Sequence, residues 1–175
     1  YRIGKGTKKD RQKAMEIYEN CYIHQKNGPA LISLAYMYGY ELGENNPREE
    51  PTEERLGHYQ EMIKLYHYGM EVLNYAPCYF NCGVAYITFF PNDIRKRELA
   101  REYFKKAATE FDDCRGYFNL AYVLLNPIEG EEQHEFTEVL KYLKLAKENG
   151  HKKAAENISV IEFNIINTYS MHTHL

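Results

Sequence analysis

The sequence predicts an all-α protein, a solenoid of about four helix-hairpin repeats. Two observations predict it. One spacing of small and large residues recurs four times along the chain, and no segment alternates as a half-buried strand would. A third agrees with them: clusters of Pro, Gly, Asn and Asp fall between segments whose apolar residues recur with a period near 3.6.

In the first copy the markers are Ala14, Tyr18, Cys21, Ala30, Leu34, Ala35 and Tyr38. The second has Met62, Tyr66, Gly69, Cys78, Cys82, Gly83 and Tyr86, and the third Ala100, Phe104, Ala107, Gly116, Leu120, Ala121 and Leu124. The offsets 0, 4, 7, 16, 20, 21 and 24 are the same in all three. The fourth copy, Val139, Leu143, Ala146, Ala154 and Ile158, drops one residue between its helices. Offsets 0, 4 and 7 share one face of a first helix, and 16, 20 and 24 one face of a second. Small residues at 0, 7 and 16 let the two backbones approach, and the larger ones fill the space between.

The elements follow in order. Helices are predicted over residues 10–25, 29–41, 53–74, 77–89, 93–110, 113–125, 134–149 and 151–168, with a stub at Tyr1 that ends an earlier helix. Asn27-Gly28-Pro29, Ala76-Pro77 and Asn149-Gly150 mark short turns within hairpins. Between hairpins stand Pro91-Asn92-Asp93, Asn126-Pro127-Ile128-Glu129-Gly130 and the segment Glu41 to Thr52, read as an exposed loop. Thr52 precedes Glu53 and Glu54, acids well placed at the positive end of a helix. Asp112 and Asp113 read as helix caps, and Glu129 to Glu135 as a solvated acidic loop and helix start.

With 175 residues, 44% hydrophobic and 27% charged, the chain reads as one soluble globular domain over 1–175. A net charge of −3 without a basic run argues against nucleic acid as the main partner. Apolar stretches such as Leu31 to Tyr40 are too short to span a bilayer. Cys21, Cys78, Cys82 and Cys114 form no C-x-x-C, and three of them occupy or adjoin small-residue positions, so they read as thiols in a reducing compartment. Neither a metal site nor a cofactor is expected. No phosphate loop, nucleophile elbow, zinc-protease helix or calcium loop occurs, and the scattered histidines suggest no catalytic set.

Tyr1, Gly4, Gly6, Asp10, Lys13 and Ala14 spell Y-x-x-G-x-G-x-x-x-D-x-x-K-A. This resembles the junction of Sel-one-like repeats, a branch of the tetratricopeptide superfamily. Asn119-Leu120-Ala121-Tyr122, Cys82-Gly83 with Tyr86, and Lys105-Lys106-Ala107-Ala108 echo the rest of that pattern. The resemblance implies a right-handed α-α superhelix, a fragment of a longer array whose further repeats lie before Tyr1. It also implies that the second helix of each hairpin lines a concave wall. On that wall the positions not used in packing are Ile32, Tyr36 and Tyr40, then Phe80, Val84 and Thr88, then Phe118, Tyr122 and Asn126. Such an apolar, aromatic surface suits a protein partner, a peptide or a helix, and the expected role is that of scaffold or adaptor.

A rival expectation is a structural subunit of a large assembly, held by its edges. Asn157 to Tyr169 is apolar on nearly every side, with Ile158, Val160, Ile161, Phe163, Ile165 and Ile166, whereas a capping helix normally shows a polar outer face. Some members of the resembled family are similar to hydrolases, but no nucleophile, base and oxyanion set is legible here, so an enzyme ranks last.

Overall fold

The computed structural model describes residues 10–41 and 52–172, with side chains as far as Phe163 apart from those of Tyr40 and Glu41. Among them are eight α-helices and no strand: α1 (Arg11–Gln25), α2 (Gly28–Glu41), α3 (Glu53–Glu71), α4 (Pro77–Phe89), α5 (Ile94–Phe111), α6 (Cys114–Leu125), α7 (Phe136–Glu148) and α8 (Ala154–His172). The predicted loop Glu41 to Thr52 and the Tyr1–Gly6 motif lie largely outside the described residues, although Asp10 of that junction is within them.

Five helix starts are closed by a side chain that accepts an orphan backbone N–H. Asp10 accepts from Lys13 N at 3.0 Å, Asn27 from Ala30 N at 2.9 Å and Thr52 from Arg55 N at 3.3 Å. Asp93 accepts from Lys96 N at 3.1 Å and Asp113 from Arg115 N at 3.0 Å. Burial pushes the Asp113 carboxyl up, but bonds from Arg115 and Gly116 hold it below its ordinary value.

The helix ends explain where the predicted bounds slip. Each of the connections α1–α2, α3–α4, α5–α6 and α7–α8 carries one left-handed residue: Lys26 (φ 52°), Asn74 (φ 45°), Asp112 (φ 51°) and Gly150 (φ 88°). Predicted to run to 74, α3 stops at Glu71, because Tyr75 N–H turns back onto the Gly69 carbonyl at 2.9 Å. Predicted from 151, α8 begins at Ala154, because His151 N–H closes onto the Ala146 carbonyl at 2.8 Å. At its other end α8 continues past 168 to His172.

Consecutive helices pack on one another: α1 on α2, α2 on α3, α5 on α6, α6 on α7 and α7 on α8. The chain forms two compact units, Tyr1–Ala85 and Tyr86–Leu175, divided inside α4. In the first unit Ala14, Ala30, Leu34, Ala35, Met62, Tyr66, Gly69, Cys78, Cys82 and Gly83 are buried. Tyr18, Cys21 and Tyr38 are half-buried. In the second unit every marker from Tyr86 to Ile158 is buried, with Phe104, Ala100, Ala107, Ala146 and Ala154 at 0% exposure.

Two close approaches between the first and second helices of a hairpin require glycine. A Cβ on Gly69 would lie 2.2 Å from Cys78 Sγ, and one on Gly116 would lie 2.7 Å from the Phe104 carbonyl oxygen and 2.8 Å from Ala108 N. Position 7 of one helix thus faces position 16 of the next, and the pair Ala107–Gly116 is the reverse of Gly69–Cys78 in which partner is glycine.

Candidate functional site

The second helices α2, α4 and α6 each show two faces. Offsets 16, 20, 21 and 24 turn inward, with Tyr38 alone half-buried. So do offsets 17 and 23, which the marker spacing does not include: Leu31, Tyr79 and Tyr117, then Met37, Ala85 and Val123 are all buried. Offsets 18, 22 and 26, spaced one turn apart, remain on the opposite stripe.

The predicted site residues occupy that stripe. In the first unit Tyr36 is 61% exposed, and Ile32, Phe80 and Val84 are half-buried. Tyr40 lies on α2, but its side chain is outside the described residues. In the second unit Tyr122 is 52% exposed, Thr88 and Asn126 are exposed, and Phe118 is half-buried.

Local contacts fix several of them. The Phe118 ring stacks on His151, with centroids 3.9 Å apart and planes at 17°. Burial holds the His151 imidazole below its ordinary pKa, Lys153 adds to the effect and Asp113 opposes it. Asn126 closes α6: its side-chain amide donates to the Tyr122 carbonyl at 2.8 Å, and its own carbonyl accepts from Arg97 Nη2 at 2.6 Å. Tyr36 stands within electrostatic reach of Tyr66, whose hydroxyl is pushed well above its ordinary pKa chiefly by burial.

The acidic segment after α6 departs from expectation. Glu131, expected to be solvated, has a side chain only 2% exposed. Its carboxylate accepts from Arg97 Nε at 2.9 Å, Arg101 Nη1 at 2.7 Å and the Ile128 N–H at 3.0 Å. Glu131 N–H returns a bond to the Ile128 carbonyl at 3.0 Å across a turn in which Gly130 takes φ 89°. Burial pushes the carboxyl up, but the Ile128 N–H and the two guanidiniums outweigh it and hold it below 4.5. Arg97 also reaches the Val123 carbonyl at 3.3 Å, so it ties the α6 terminus to α5. One acid among the four of Glu129 to Glu135 gives no sequence signal that it will fold inward; Arg97 and Arg101, i and i+4 on α5, were the available hint.

A cleft of about 310 Å³ opens between α5 and α7 over α6. Leu120 and Leu124 floor it, with Arg101, Lys105, Glu138 and Tyr142 on its rim. Among the described residues no cluster of three or more His, Cys, Asp or Glu is arranged to hold a metal ion. Cys78 and Cys82 are fully buried, and burial pushes the Cys78 thiol up to about 12, which removes it from thiolate chemistry near neutral pH. No described helix is long and apolar enough to cross a membrane.

Compared with protein-family models and with curated proteins, the chain matches none.

Proposed function

We propose that the chain is a helical-repeat scaffold, of the kind the Sel-one-like resemblance implies, which holds a peptide or a helix of a partner protein along its second helices. One observation carries the reading: Tyr36 and Tyr122, at the same offset in two copies, are 61% and 52% exposed on helices whose other faces are packed. A large aromatic ring left in water at a repeated position is a ready anchor, since it brings much contact area for little lost conformational freedom. Ile32, Phe80 and Val84 in the first unit, and Phe118 in the second, stand half-buried on these stripes and add apolar surface. Thr88 and Asn126 end those stripes with polar groups.

The test is capture of partners from native extract by wild-type chain and by the Tyr36→Ala/Tyr122→Ala variant. Recovery should fall at least about tenfold with helicity unchanged. A second reading, a structural subunit of a large assembly, draws on α8, where Val160 and Phe163 are 56% and 64% exposed. Recovery that survives the tyrosine substitutions but disappears on deleting residues 157–175 favours that second reading.

A further inference from the structure

The first unit carries a tyrosine cluster away from the stripes just described. Glu19, Tyr22 and Lys26 fall at i, i+3 and i+7 along α1 and its cap, and Glu61 and Tyr68 seven residues apart along α3. Tyr22 and Tyr68 meet edge to face across the two helices, with centroids 5.6 Å apart. Tyr38 approaches from α2, within electrostatic reach of Tyr22, Glu19 and Glu61, and its ring is tilted against His58 at 6.0 Å. Burial is the first cause that raises the pKa of both the Tyr22 and Tyr38 hydroxyls, and Glu19 and Glu61 add to it at each.

Two observations give this cluster a chemical preference. A cation already sits there: Lys26 Nζ donates to Tyr68 Oη at 2.9 Å and lies 5.6 Å from the centre of its ring. Lys26 is exposed, so it is an exchangeable occupant. The second observation is a comparison of equivalent positions. The 310 Å³ cleft of the second unit has Lys105 on one wall, Glu138 on the other and Leu124 in its floor. At the same offsets the first unit has Glu19, Glu61 and Tyr38. One base of a wall that also carries Glu98, Arg101 and Glu102 is replaced by an acid, and one of the two floor leucines by an aromatic ring. Glu19 has no ion-pair partner among the described residues, and Glu61 pairs with the exposed Lys64 one turn along. Negative ring faces, hydroxyl oxygens and two carboxylates attract an organic cation and repel a phosphate.

We propose that this cluster takes a lysine or arginine side chain from a basic segment of a partner protein, the incoming cation replacing Lys26 over Tyr68. The two stripes run about 10 Å along their helices, a length that matches about three extended residues rather than a small free amine. The proposal uses other residues and another face than the scaffold surface, and stands or falls apart from it.

Binding of a fluorescein-labelled octalysine peptide to the whole chain, followed by anisotropy at low salt, tests it. Tyr22→Leu and Tyr38→Leu leave the charge unchanged and should each weaken binding about fivefold. Glu19→Gln should weaken binding more than Glu110→Gln, and Lys26→Gln should tighten it more than Lys147→Gln, although each pair makes the same change in net charge. Tyr36→Ala/Tyr122→Ala should leave octalysine binding as in wild type. Absence of binding at millimolar peptide overturns the proposal, as do tyrosine variants within about twofold of wild type. Equal affinity for free spermidine overturns the choice of a polypeptide. Should a leucine variant lose helicity, the Glu19 and Lys26 comparisons, made on exposed side chains, still decide.

Discussion

Gly69→Ala isolates the contact on which the helix pairing depends. In isolation the change favours the helix by about 0.8–1 kcal/mol, because alanine has less backbone freedom to lose than glycine. Here the added methyl carbon would sit 2.2 Å from Cys78 Sγ and 3.2 Å from Leu31 Cδ2. The first distance is roughly 1.5 Å inside contact. Cys78 is fully buried and has a single side-chain torsion, so α3 and α4 must shift apart or the thiol must leave its rotamer. Overpacking of this size costs about 1–3 kcal/mol, which exceeds the propensity gain, and a net loss near 1 kcal/mol is expected. Cys78→Ala alone opens a small void and also destabilises, by about 1 kcal/mol. Combined, the two substitutions put alanine opposite alanine, as Ala146 and Ala154 stand in the fourth copy, both at 0% exposure. The double variant should return to wild-type stability or slightly above it. Urea unfolding followed by far-ultraviolet dichroism measures the three differences. The decisive quantity is the coupling, expected to exceed about 1.5 kcal/mol. Additivity within about 0.5 kcal/mol would refute the packing argument.

Gly116→Ala meets main-chain atoms, the Phe104 carbonyl oxygen at 2.7 Å and Ala108 N at 2.8 Å, which no rotamer can move. It should cost about 3 kcal/mol in the same unfolding assay, and Ala107→Gly should restore little of it. Glu131→Gln leaves Arg97 and Arg101 without their shared carboxylate and should cost about 3–5 kcal/mol at pH 7. Because the folded carboxyl lies below its ordinary 4.5, its contribution is complete above that pH and is lost as pH falls through the folded value, so stability measured from pH 5 downward should fall less steeply in Glu131→Gln than in wild type.

Much of the fold is legible because packing depends on residue size at fixed spacing, and spacing survives in a single sequence. The caps Thr52 and Asp113 are legible because a short polar side chain before a helix has few other uses. The helix ends are harder to read. Lys26 is a poor candidate for a left-handed residue, and only the turn that it closes dictates its conformation. Glu131 could not be read at all, since its burial depends on two arginines 30 and 34 residues away that meet it only after α5 and α6 have packed. At the proposed partner surface, the spacing selects the stripe but not the degree of exposure. Tyr122 stands in water while Phe118, one turn earlier, has its ring against His151, and that difference comes from the α7–α8 turn rather than from α6.

The same turn explains how the fourth copy loses a residue without losing its pairing. From the left-handed residue to position 16 the distance is four residues in every copy: Lys26 to Ala30, Asn74 to Cys78, Asp112 to Gly116, Gly150 to Ala154. The missing residue must therefore come from the end of α7. The hydrogen bonds agree. In the second and third copies the N–H following the left-handed residue, that of Tyr75 or Asp113, returns to the carbonyl of position 7, Gly69 or Ala107, six residues back. In the fourth, His151 N–H returns to the position 7 carbonyl of Ala146 from five residues on, the shorter closure that a glycine at Gly150 allows. Position 7 thus does two things at once. Its carbonyl anchors the reversal of the chain, and its small side chain admits position 16 of the helix that the reversal brings back. A bulky residue there would push the second helix away from the turn that positions it. That is why the size of this pair is kept from copy to copy while the identity of its members is not.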